Sequence, residues 1–106
     1  MPTLYLSAPK MRRESGGSYY RDFFTILQSR IGPDYAIYAK IVSQIVPGIR
    51  VVVFDRDRGL QAEGTVSSLE PRPSARIQRY HVHIPNLTQV RYTNPPPVNR
   101  CGVAIV

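Results

Sequence analysis

Between residues 46 and 66 this chain permits little besides a tight pair of β-strands. Pro47-Gly48 is a turn dipeptide, because proline pre-sets its φ and glycine accepts the positive φ that follows. The run Arg50-Val51-Val52-Val53-Phe54 after it is apolar and β-branched, and so predicts a buried strand. Asp55-Arg56-Asp57-Arg58-Gly59 is a polar reversal, and Leu60 to Leu69 returns as a second strand holding Gly64. A glycine inside a strand predicts a bulge or sharp bend, the device that curls a sheet into a barrel.

The remaining segments extend that pattern. Thr3 to Leu6 reads as a first strand ending at Ser7-Ala8-Pro9, and Lys10 to Gly17 as a basic loop. A helix is expected from Ser18 as N-cap, with Asp22 in its first turn and Gly32-Pro33 as its stop. Tyr20, Phe23, Phe24, Leu27 and Ile31 recur three and four apart, which puts them on one buried face. Strands are then expected over Tyr35 to Val42, Arg76 to Ile84 and Leu87 to Tyr92, with Glu70 to Ser74 a stiff loop. Asn94-Pro95-Pro96-Pro97 is extended and cannot donate to a ladder. Gly102 to Val106 is apolar and expected to complete the sheet. The fold class expected is α+β: a single domain, residues 1–106, built as a small, strongly curved mixed β-barrel with one main helix after the first strand.

Charge narrows the partners. The 106 residues carry 14 Lys and Arg against 7 Asp and Glu, a net +7. Twelve of the bases are arginine, whose planar fork of donors suits phosphates and base edges. A polyanion partner is one reading and a merely soluble basic surface the other. No apolar run is long enough to span a membrane and no charged-then-apolar signal segment opens the chain, so a cytoplasmic protein without membrane contact is expected. The lone Cys101 agrees with a reducing compartment.

The opening Leu4-Tyr5-Leu6-Ser7-Ala8-Pro9, the strand Pro47 to Phe54 and the glycine-bent Glu63-Gly64-Thr65-Val66-Ser67 together resemble the PUA-like superfamily, most closely its EVE-type branch. The order of elements resembles it across nearly the whole chain. Ile49 stands where that family usually has an acidic residue, and there is no Trp. The Gly-x-Lys-x-x-Glu-x-Arg signature of the related ASCH branch, and with it that branch's hydrolase chemistry, is missing. What the resemblance implies is a module that binds RNA, or a modified base in DNA, in a cleft between the barrel and the first turn.

Candidate site residues follow from both lines. Ser7, Pro9 and Tyr38 are expected to line a base-sized pocket, with Tyr38 as stacking platform or as an ordinary strand residue. Tyr5 and Tyr35 read as strand residues with buried rings. Lys10, Arg12 and Arg13 are expected to grip phosphates, whereas Arg56 and Arg58 sit in a turn neutralised by Asp55 and Asp57. Arg79 and His81 are expected on a groove-facing side of their strand. His81 and His83 also have a spacing metals can use, but too few ligands accompany them. Cys101 reads as a buried thiol in the last strand. No nucleophile elbow, phosphate-cradling glycine loop or helix-borne metal pair appears, so a non-catalytic protein without cofactor is expected. The alternative is a small barrel binding a protein or small molecule, as a homodimer joined through residues 102–106.

Overall fold

The computed structural model describes residues 2–9 and 22–106. In chain order the elements are β1 (Thr3–Ser7), α1 (Phe23–Ser29), β2 (Ile31–Ala36), α2 (Ala39–Val42), β3 (Arg50–Asp55), β4 (Leu60–Thr65), β5 (Ser68–Arg72), β6 (Arg79–His83), β7 (Thr88–Val90) and β8 (Val103–Ile105). They form two sheets rather than a closed barrel: five strands in the order β7-β4-β3-β1-β8, and three in the order β2-β6-β5. Only β1 and β3 run parallel.

The expected barrel fails at one peptide. The β3–β4 ladder continues to Val66, whose amide donates to Ile49. The next amide, Ser67, donates instead to His83 of the other sheet. What the sequence reads as one strand from Leu60 to Leu69 is therefore two strands in two sheets. The sheets share this corner and a common core, and their outer strands stay edges. Gly64 makes no bulge, because β3 and β4 pair without a slip from Arg50–Thr65 to Asp55–Leu60. It is glycine for want of room: a Cβ there would lie 2.7 Å from Ile84 Cγ2 and 3.2 Å from the Leu87 backbone.

The turn before β3 is as the sequence predicts. Ile49 N–H donates to Val46 O at 3.0 Å, and Gly48 holds φ 91°, as the third residue of a type II turn must. The Asp55–Gly59 reversal is tied internally. The buried Asp55 carboxylate accepts from the amides of Asp57 and Arg58 and from the Arg58 guanidinium. Arg58 then reaches Asp22 at 2.8 Å. Asp22 is the N-cap of α1, accepting from Phe24 N–H at 3.1 Å. That turn thus clamps the helix start, and Arg58 lies over the Phe24 ring.

Several boundaries move from their expected places. The helix begins at Phe23 rather than Ser18, which lies outside the described residues together with Tyr20. It ends at Arg30 in the left-handed region, and Gly32-Pro33 belongs to β2. Phe23 and Ile26 are its buried residues, Phe24 is exposed, and Ile31 has passed into β2. The strand expected to run to Val42 stops at Ala36, and Ala39–Val42 is a helical turn whose Ile41 and Val42, with Ile45, pack on the core. Glu70-Pro71-Arg72 is strand, not loop, and Pro71 is tolerated because β5 is an edge. The strand expected from Arg76 starts at Arg79, and Cys101 is half-buried in the turn before β8.

The core lies between the two sheets and α1. Leu4, Leu6, Val51, Val53 and Ala62 come from the larger sheet, Tyr35 and Val82 from the smaller, and Phe23 and Ile26 from the helix. Alternation puts Val52, Phe54 and Gln61 on the opposite side of the five-stranded sheet, yet they too are buried. The proline-rich segment after β7 closes over them. Gln61 Oε1 accepts from Thr93 N–H at 2.8 Å, and Arg56, stacked 5.0 Å from the Phe54 ring, donates to Asn94 and Pro96.

Candidate nucleic-acid interface

The three-stranded sheet turns one face to the core and the other outward. Directly opposed residues of antiparallel strands share a face, so the register defines the outer rows. Ser68, His83 and Ile31 form one row, Glu70 and His81 the next, and Arg72, Arg79 and Ala36 the third. The rows are staggered by a bulge in β2, where Pro33 and Asp34 together oppose His81. Asp34 there adopts φ 49°.

Three side chains hold that bulge. Asp34 N–H donates to His81 Nδ1 at 3.1 Å, Arg79 Nη1 donates to Asp34 O at 2.7 Å, and Arg72 lies 3.6 Å from the Asp34 carboxylate. An imidazole that accepts at Nδ1 while holding its proton at Nε2 is neutral. Burial, followed by the neighbouring Arg72 charge, pulls His81 below its ordinary value of 6.5. In the next row His83 Nε2 lies 2.9 Å from Glu70 Oε1, and that bond is the largest cause holding the Glu70 carboxyl below its usual range. Among the described residues no group of three or more His, Cys, Asp and Glu is placed to hold a metal ion.

Of the eight residues expected at a binding site, three come together. Arg79 and His81 are neighbours on the outer face of β6, and Tyr38, 43% exposed, follows β2 just past the Ala36–Arg79 pair. Arg79 and His81 are engaged in the bulge, so their first role is structural. Ser7 and Pro9 lie at the far end of β1, in the other sheet. It is Tyr35, not Tyr38, that reaches Ser7: its ring is wholly buried and its hydroxyl donates to Ser7 O at 2.7 Å. Lys10, Arg12 and Arg13 lie outside the described residues.

The exposed cations near this sheet are ones that sequence motifs did not single out. Lys40 projects from α2 and Arg76 from the β5–β6 loop, both beside Tyr38's end of the sheet, while Arg30 stands at the opposite end where β2 begins. Among the described residues no carboxylate pairs with Arg30, Lys40 or Arg76. Five of the six described acidic side chains are committed elsewhere: Asp22 and Asp55 to Arg58, Glu63 to Arg50, Asp34 and Glu70 to Arg72; Asp57 sits in the β3–β4 turn of the other sheet. A signal for this was present in the chain. No acidic residue occurs between Asp34 and Asp55, and none follows Glu70.

No family model matches the chain, and neither a curated protein nor a solved structure matches it. No described helix is long and apolar enough to cross a membrane.

Proposed function

We propose that this protein is a non-catalytic nucleic-acid-binding module acting in the cytoplasm, and that it takes the polyanion along the outer side of its three-stranded sheet. The observation that carries this is the set of exposed cations without carboxylate partners among the described residues at both ends of that sheet: Arg30 at one, Lys40 and Arg76 at the other. A six-residue strand separates them by roughly 20 Å, about six phosphate steps along one strand of a B-form duplex. Phosphate contacts of this kind position a nucleic acid without reading its sequence. The exposed ring of Tyr38 lies among the cations at one end and offers a stacking surface for an unpaired base.

Titration of labelled single-stranded RNA and DNA at 50 and 200 mM salt tests the reading. Binding should weaken steeply with salt for either polymer, since counterion release dominates contacts of this type. Binding that is missing, or equal at both salt concentrations, contradicts it. The alternative reading, a homodimer, is favoured by one feature: β8 pairs with no strand but β1 among the described residues, and Asn99 takes up only the Val103 end of its outer edge, leaving Ile105 beside the exposed Val106. Sedimentation as a concentration-independent dimer without nucleic-acid affinity would support that reading instead.

A further inference from the structure

At the Arg30 end of the three-stranded sheet the surface opens into a groove of about 360 Å³. Arg30, His83 and Ser29, Ser67 and Ser68 supply its polar lining, beside apolar residues that include Ile31 and Pro85. We propose that this groove binds the phosphate monoester of a nucleotide, either free or at the end of a strand. The proposal rests on the nucleic-acid reading above and adds a ligand group and a place for it.

The first reason is the backbone of Arg30. It holds φ 61° and ψ 29° in the position that ends α1, where its N–H donates to Ile26 O at 2.7 Å and its carbonyl accepts from Ile84 N–H at 2.9 Å. Glycine ordinarily occupies this left-handed position, and a side chain there costs about 1 kcal/mol. Arg30 bears that strain although its guanidinium pairs with no carboxylate among the described residues. What the chain gains is a cation on a held backbone at the groove. A strained residue whose guanidinium has no hydrogen bond or ion pair among the described residues points to a ligand.

The second reason is the chemistry of the lining. No carboxylate is part of it. Arg30 brings donors only, in the fork that matches a phosphate. The Ser68 hydroxyl has no partner among the described residues, whereas Ser29 donates to Ile31 O and Ser67 to His83 O. Glu70 is not one of the lining residues, although it contacts His83, which is. By accepting from Nε2 at 2.9 Å it fixes the ring so that Nδ1 is the remaining polar atom. The volume lies within the range of small-ligand sites, about 300–1,000 Å³, and the apolar residues give a sugar or base a surface to rest on.

The test compares a 5′-phosphorylated oligonucleotide, the same oligonucleotide with a 5′-hydroxyl, and a nucleoside monophosphate, each against the wild-type chain, Arg30→Gly and Arg30→Asn. Both substitutions suit the left-handed backbone, so both variants should fold and melt at or above the wild-type temperature. The phosphorylated strand should bind the wild type about tenfold more tightly than the hydroxyl strand, the worth of one charge-assisted contact. That preference should fall to near unity in both variants. Equal binding of the two strands to the wild type, with strong salt dependence, overturns the groove and leaves the nucleic-acid reading standing. A preference that survives in Arg30→Gly overturns the role of Arg30. If the monophosphate binds in an Arg30-dependent way and neither strand does, the groove is upheld with a free nucleotide as its ligand, and the strand reading falls.

Discussion

Asp34 is held at positive φ by groups that approach it from two neighbouring strands, and the protonation of one of them decides how well. His81 accepts the Asp34 amide only while neutral, and its folded pKa lies below the ordinary 6.5. Unfolded chains then bind a proton that folded chains refuse, so stability falls as the pH drops below 6.5 and levels off below the folded value. His81→Asn places a permanent acceptor near the same point. Thermal melts from pH 7.5 to 5 should show the wild type losing stability relative to this variant as the pH falls; parallel curves would mean His81 is not the titrating group. Gly64 is constrained by space instead. Gly64→Ala should cost about 1–3 kcal/mol by overpacking against Ile84 and Leu87, measured by urea denaturation. A variant as stable as the wild type would show that the β4–Leu87 approach yields easily. Residue chemistry also limits what the sequence discloses. Alternation puts Tyr35 and Tyr38 on opposite sides of one strand, and their burial differs accordingly, with Tyr35 buried on Ser7 and Tyr38 exposed; what alternation does not disclose is that β2 ends at Ala36 and Tyr38 is the N-cap of α2.

At the scale of elements, those dictated by local rules were legible and those dictated by partners were not. The Pro47-Gly48 turn, β3 and the Asp55–Gly59 reversal follow from turn chemistry and an apolar run. The split of Leu60–Leu69 does not, since both halves have ordinary strand character and only the choice of Ser67 to bond His83 separates them. Residues 39–42 misled for a similar reason. Their apolar residues fit alternation as well as a helical turn, and packing of Ile41 and Val42 on the core decides. The segment after β7 shows how an element without ladder bonds is fixed: by Gln61 of β4 and Arg56 of the β3–β4 turn. Gln61→Ala removes a buried acceptor from Thr93 and should cost about 1–3 kcal/mol. Amide exchange at Thr93 should also quicken. Unchanged exchange there would show that Arg56 alone holds the segment.

For the molecule as a whole, the charge balance was legible from the start and its distribution was not. The excess of arginine predicts a polyanion partner, but most candidates named from the sequence sit in the five-stranded sheet, in the Asp34 bulge or outside the described residues. Three of the exposed cations without a carboxylate among the described residues, Arg30, Lys40 and Arg76, stand at the ends of the smaller sheet, while Arg91 follows β7 of the larger one. On the proposed reading, the open two-sheet architecture offers a nucleic acid a surface to lie along, where a closed barrel would have offered a cleft. The most direct test is the slope of log K against log salt for a single-stranded oligonucleotide, measured for the wild type and for the double variant Lys40→Ala/Arg76→Ala. Removing two phosphate contacts should flatten the slope by about 1.4, near 0.7 per contact on a single strand, with the melting temperature unchanged. An identical slope in the two proteins would contradict binding through this face.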